Sequence, residues 1–202
     1  AVLSHSSARH PRRDSLRYGL SADQGKAKWI SSQTPDAWTQ KFFGKDPSRT
    51  AVPAFTIGSD EVCLNADAAP IELNGPAVSV VSDRMENGIR RLRLHLMSTR
   101  GATSLMLRMP AETELEGVSL NGRSIDVHTV STHPWLIRYE ALPSEGVEFE
   151  FRLRGEKPIS CWVGDTSNGF PPSLMQSYPP RPEEFMAELG SDMTLVTRHY
   201  SF

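Results

Sequence analysis

The side chains that could do chemistry are six histidines, two cysteines, and the aspartates and glutamates, 24 in all. The histidines are His5, His10, His95, His128, His133 and His199, and no two form a His-x-x-x-His or His-Glu-x-x-His pair. A helical zinc site needs that spacing to bring both imidazoles onto one face. No Cys-x-x-Cys occurs either. A metal ion would need remote ligands to converge, so the spacing predicts no cofactor in this chain. A serine nucleophile would want a Gly-x-Ser-x-Gly elbow, which is absent. Ser167 has acid and amide neighbours in Asp165-Thr166-Ser167-Asn168-Gly169-Phe170-Pro171, but that string is built of turn formers and reads as a stapled loop. No glycine-rich phosphate loop is present. Paired carboxylates occur at Asp60/Glu61, Glu112/Glu114/Glu116, Glu148/Glu150 and Glu183/Glu184. Glu148 and Glu150 alternate with apolar residues and read as the wet face of a strand.

These residues ride on elements with a two-residue period. Val147 to Arg154 sends Val147, Phe149, Phe151 and Leu153 inward and Glu148, Glu150, Arg152 and Arg154 outward. Arg90 to Met97 separates Leu92, Leu94 and Leu96 from Arg91, Arg93 and His95. Further strands are expected at 17–20, 28–31, 77–83, 103–109, 118–120, 135–140, 158–163 and 193–200. Ala22-Asp23-Gln24-Gly25 reads as a hairpin turn, and Asn121-Gly122 signals a type I′ turn. One short helix is expected over 34–44, capped by Thr34, with Pro35 in its first turn and Gly44 at its end. Trp38 and Phe42 would share its buried face. Residues 45–76 read as irregular apart from an apolar stretch at 61–64. Strands with one wet face must cover their apolar faces against a second sheet. The expected fold is therefore mainly β, an antiparallel, jelly-roll-like β-sandwich over 14–202 preceded by a linker at 1–13.

The chain has 202 residues and a formal charge of −2, enough for a sandwich core and without a basic field for nucleic acid. Arg9 to Arg13 form the one basic cluster, with no interleaved aromatics, and read as a linker or juxtamembrane segment. No run reaches the roughly 18 apolar residues of a membrane helix. Cys63 and Cys161 sit among apolar neighbours and read as buried free thiols, with a disulfide as the alternative. The tryptophans, Trp29, Trp38, Trp135 and Trp162, fall in phase with apolar residues and read as core, against the alternative of a sugar-stacking platform. The segment 169–182 holds Pro171, Pro172, Pro179, Pro180 and Pro182, cannot join a central strand, and is expected to run over the surface as an extended loop. Its Phe170, Leu174, Met175 and Tyr178 are the candidate contact surface, with the alternative that they fold back and cap the open end of the sandwich.

Several stretches come in a suggestive order. Asp14 to Asp23 and Gly25-Lys26-Ala27-Lys28-Trp29 precede Pro35-Asp36-Ala37-Trp38-Thr39. Then come Ser98-Thr99-Arg100-Gly101-Ala102, Trp135 to Tyr139, Asp165 to Pro171, Arg181-Pro182, and Ser191 to Val196. In this order the chain resembles the C-terminal extramembrane domain of membrane-anchored zinc aminopeptidases: endoplasmic-reticulum metallopeptidases, vacuolar membrane proteases and their bacterial relatives. The resemblance implies a piece of a longer protein, in which a two-zinc peptidase domain and a block of membrane helices come first. It implies an accessory, non-enzymatic role on the extracytoplasmic side, periplasmic or lumenal, with the protein's own catalytic and membrane domains as partners and homo-oligomerisation left open. Zinc would belong to the catalytic domain, and none of the family's catalytic or metal-binding residues maps onto this chain. The alternatives are a carbohydrate- or ligand-binding module, and a free-standing hydrolase with a converging His/Asp/Glu or Ser/His/Asp site.

Overall fold

A computed structural model describes residues 7–125 and 134–202. His5, His128 and His133 lie outside the described residues, as does the start of the expected linker. The strands run β1 (Arg12–Asp14), β2 (Arg17–Ser21), β3 (Lys26–Ser31), β4 (Ser48–Ala51), β5 (Val62–Ala68), β6 (Ala77–Glu86), β7 (Ile89–Met97) and β8 (Ser104–Met109). They continue as β9 (Leu115–Leu120), β10 (Arg123–Ile125), β11 (Trp135–Glu140), β12 (Val147–Arg154), β13 (Ser160–Asn168), β14 (Phe185–Ala187) and β15 (Met193–Ser201). Two short helices interrupt them, α1 (Gln40–Phe43) and α2 (Pro172–Met175). The protein is mainly β, with sheets packed in sandwich fashion. Its residues fall into two compact units, one of residues up to Glu72 with Ser167–Leu195, the other of Leu73–Thr166 with Val196–Phe202.

The second unit shows the period-two logic most plainly. β10, β9, β12, β7 and β6 form an antiparallel sheet in that order, and β11, β8 and β13 pair antiparallel as a second layer. Leu92, Leu94 and Leu96 of β7 meet Phe149 and Phe151 of β12, Leu105 and Leu107 of β8, and Val163 of β13 in one core. Each such side chain contributes about 1.5–3 kcal/mol by leaving water. Phe151 is fully buried, while Trp135 is half-buried against the same core and donates its Nε1–H to the Thr113 carbonyl at 3.2 Å. Outside, Arg93 pairs with Glu148, and Arg154 lies 2.7 Å from Glu116. His95 sits on this wet face as expected, against the Glu145 carbonyl at 2.7 Å. The turn at Asn121-Gly122 has both residues at positive φ, +47° and +78°, as type I′ demands.

In the first unit β2, β3, β5 and β4 make an antiparallel sheet. Gly19 of β2 lets the chain pass Phe55 closely, since a Cβ there would lie 2.9 Å from the Phe55 carbonyl oxygen. β1 and β14 form a separate two-stranded parallel pair, an exception to the expected antiparallel order.

Four local expectations are corrected. Asp165 to Asn168, expected in a stapled loop, form the end of strand β13. The helix over 34–44 shrinks to Gln40–Phe43, with Thr39 and not Thr34 at its N-cap position and no side-chain cap hydrogen bond. Asp36 Oδ1 accepts the N–H groups of Trp38 and Thr39 at 2.8 Å, and Thr39 Oγ1 accepts that of Asp36. Gln40 N–H also donates to the Asp36 carbonyl at 2.9 Å, so these residues form a hydrogen-bonded turn directly ahead of the helix. Trp38 and Phe42 still meet, with ring centroids 4.9 Å apart. The stretch 45–76 is not irregular but holds β4 and β5. The pattern was masked because β4 is a polar edge strand and β5 buries Asn65, whose Nδ2 donates to Thr50 Oγ1 at 3.1 Å. The second helix, α2, lies inside the proline-rich segment that was expected to be extended.

Candidate functional site

Six of the eight stretches singled out by their order contribute to two polar clusters, each inside one unit. In the first unit Arg181 forks onto Asp14, with Nε and Nη2 donating to the two carboxylate oxygens at 3.0 and 2.9 Å. The same guanidinium donates to Asp192 through Nη2 at 2.5 Å and through Nη1. Its plane carbon lies 4.3 Å from the Trp38 ring centre, a cation–π contact. Trp38 in turn donates Nε1–H to the Pro179 carbonyl at 2.9 Å. Asp14 is buried, and that burial pushes its carboxyl above the ordinary range while Arg181 pulls it back down. Around this core Ser191 Oγ accepts the Leu16 N–H at 2.7 Å, and Gln33 donates to Glu188 at 2.9 Å.

In the second unit Asp165 is wholly buried. Ser98 Oγ donates to its Oδ2 at 2.5 Å, Arg100 Nε donates to its Oδ1 at 2.8 Å, and Arg100 Nη2 reaches the Asp165 backbone carbonyl at 3.0 Å. Ser98 Oγ also accepts the N–H of Ala102 at 3.0 Å, which fixes the turn after β7. Burial raises the Asp165 carboxyl above its ordinary value, opposed first by the Arg100 charge and then by the Ser98 hydrogen bond. Pairing at 4 Å or less in such surroundings offsets a desolvation cost of several kcal/mol per ion only when the remaining lone pairs are also bonded. In both clusters the partners offset part of that cost, and burial still leaves the carboxyl raised. Their charged groups are saturated by one another, so their chemistry is to tie distant segments together.

The four expected contact residues are distributed unevenly. Leu174 is buried, and Phe170, Met175 and Tyr178 are half-buried. Phe170 and Tyr178 both pack edge-on to Trp29, at 5.4 and 5.5 Å, and Tyr178 stacks on Phe42 at 4.2 Å. Trp29 Nε1–H donates to Tyr178 Oη at 3.1 Å. What the segment presents to solvent is Gly169, Pro172, Ser173, Gln176, Ser177, Pro179, Pro180 and Pro182.

Other reactive groups are less organised. Ser160 Oγ and His199 Nε2 stand 2.6 Å apart, with the Trp162 ring beside the imidazole at 4.9 Å, but both lie toward solvent on a strand face. Cys63 and Cys161 are free and buried, and burial pushes the Cys161 thiol up to about 12. Among the described residues, no group of three or more His, Cys, Asp and Glu side chains could hold a metal ion. A cavity of about 390 Å³ in the second unit is lined by Trp135, Glu112, Glu114, Glu116 and Arg154. Trp29 and Trp38 are buried, so neither offers a free ring face.

Sequence reading pointed to the loop aromatics and passed over Arg181, Asp14 and Asp192 as a group. The available signal was that each stands in one of the ordered stretches, but their separation of up to 178 positions carries no spacing rule. No family model and no curated protein matches the chain.

Proposed function

We propose that this chain is a non-catalytic accessory domain of a membrane-bound zinc aminopeptidase, held on the extracytoplasmic face. It would shape substrate access or hold the extramembrane parts of that protein together. Its partners would be the catalytic and membrane domains of the same protein. The parent would hydrolyse N-terminal peptide bonds with zinc-activated water, in a domain outside this chain. One observation supports the reading: six of the eight stretches that resemble this family supply the Arg181 and Asp165 clusters, where their charges bond one another. Residues used in this way suit a scaffold.

The test is direct. The purified chain, dialysed against zinc and then against buffer, should retain no stoichiometric metal and turn over no aminopeptidase substrate. One tightly held zinc per chain, or turnover abolished by a chelator, would overturn the proposal. A ligand-binding module is the second reading, favoured by the cavity at Trp135, where an aromatic ring stands beside carboxylates and a guanidinium. Saturable quenching of tryptophan fluorescence by an oligosaccharide, lost in Trp135→Ala, would favour that reading over the first.

A further inference from the structure

The chain contains four Asn-Gly dipeptides, at Asn74, Asn87, Asn121 and Asn168. Asn-Gly is chemically labile because glycine has no side chain to shield its amide nitrogen. Two of the four sit in matched surroundings within the second unit. Asn87-Gly88 joins β6 to β7 and Asn121-Gly122 joins β9 to β10, each as the whole of a two-residue loop. The φ angles agree closely, +53° and +79° at one turn against +47° and +78° at the other. All four residues are exposed, and a Cβ on either glycine would meet nothing within 4 Å. Backbone φ and the open space around the glycine are therefore alike at both turns.

The turns differ in what holds the asparagine. Asn121 Oδ1 accepts the Glu148 backbone N–H at 2.9 Å, and Asn121 N–H donates to the Glu148 carbonyl at 2.8 Å. The first of these bonds ties the side-chain amide to β12, and the second ties the Asn121 backbone there. No such bond holds the Asn87 amide among the described residues. The other two are restrained at the glycine. Gly169 N–H donates to the Asp192 carbonyl at 2.6 Å, and Gly75 is buried with its carbonyl bonded to Thr99 Oγ1 at 3.2 Å.

We infer that Asn87-Gly88 is a spontaneous modification site, the asparagine of this chain that converts first to aspartate and isoaspartate. The Gly88 nitrogen loses its proton to solvent base and attacks Asn87 Cγ. The N–Cγ bond forms, the Cγ–Nδ2 bond breaks, and ammonia leaves, giving a succinimide. Water opens the ring at either carbonyl, so the net change is uptake of water and release of ammonia, with no oxidant or reductant. The isoaspartate product puts an extra methylene into the backbone of a two-residue loop whose length sets the β6–β7 register. Either product adds a carboxylate next to Glu86, which already pairs with Arg91 at 3.4 Å.

Tryptic mapping separates the two turns, since Asn87 falls in the peptide Met85–Arg90 and Asn121 in Met109–Arg123. The folded chain is incubated at mildly alkaline pH, and conversion is followed by mass spectrometry with isoaspartyl methyltransferase labelling. The expected result is conversion at Asn87 several-fold faster than at Asn121, Asn74 and Asn168, with the difference between Asn87 and Asn121 disappearing in a denaturant-unfolded chain. Faster conversion at any other of the four overturns the proposal, as does no conversion at Asn87. So does a rate difference that survives unfolding, because flanking sequence and not the Glu148 bonds would then be its cause.

Discussion

At the scale of single residues, the two buried carboxylates are the most consequential groups. Asp165 has its carboxyl raised above the ordinary value of 3.8 by burial, despite Arg100 and Ser98. Below 3.8 both folded and unfolded chains hold the proton, and its contribution to stability is fully present. As pH climbs past 3.8 the unfolded chain releases its proton first, so stability falls until the raised folded value is passed. Asp165→Asn does not titrate. The stability of the parent relative to Asp165→Asn should therefore decline as pH rises through that window, measured by denaturant unfolding in a pH series. A relative stability that grows with pH would show that the Arg100 charge outweighs burial. Arg181 poses the complementary case. Arg181→Ala would leave Asp14 buried without its counter-charge, at a cost of about 3–5 kcal/mol. Arg181→Ala combined with Asp14→Asn should cost less than the sum of the two changes, and strict additivity would deny the coupling.

At the scale of elements, the proline-rich segment shows how composition and packing part company. Five prolines keep it out of a sheet, as the sequence implies, yet Pro171 and Pro172 also start the short helix α2. That helix buries Leu174, and Phe170 and Tyr178 close over Trp29. Phe170→Ser with Tyr178→Ser should then unfold at clearly lower denaturant, because the pair removes two ring contacts to Trp29 and one hydrogen bond from its indole. An unchanged unfolding midpoint would mean that the rings add little to the fold and are free to serve a contact surface.

At the scale of the whole chain, each compact unit draws on separated stretches of sequence. The first unit takes Asp14, Trp29 and Trp38 from one stretch and Tyr178, Arg181 and Asp192 from another. A fragment ending at Glu72 should accordingly fail to fold alone, since it lacks the counter-ion of Asp14 and the ring that stacks on Phe42. Adding the peptide 167–195 should restore native tryptophan fluorescence. Cooperative unfolding of the fragment alone would refute this dependence.

The β architecture was legible in the sequence because a buried face repeats every second residue. β12 matches its expected bounds at Val147–Arg154, and the Asn121-Gly122 turn matches its expected type, since both rules act over a few neighbouring positions. β4 and β5 escaped notice because an edge strand needs no apolar stripe and a satisfied Asn65 can sit in a core. The helix start was misplaced because Thr34 suits a cap by residue type, while the folded chain bonds Asp36 to Trp38 and Thr39 in a turn ahead of Gln40. Arg181 between Asp14 and Asp192, and Arg100 with Ser98 on Asp165, could not be read from spacing at all. Charge pairing has no sequence period: any Arg can meet any Asp, and which ones do so is decided by how the strands and loops carrying them pack.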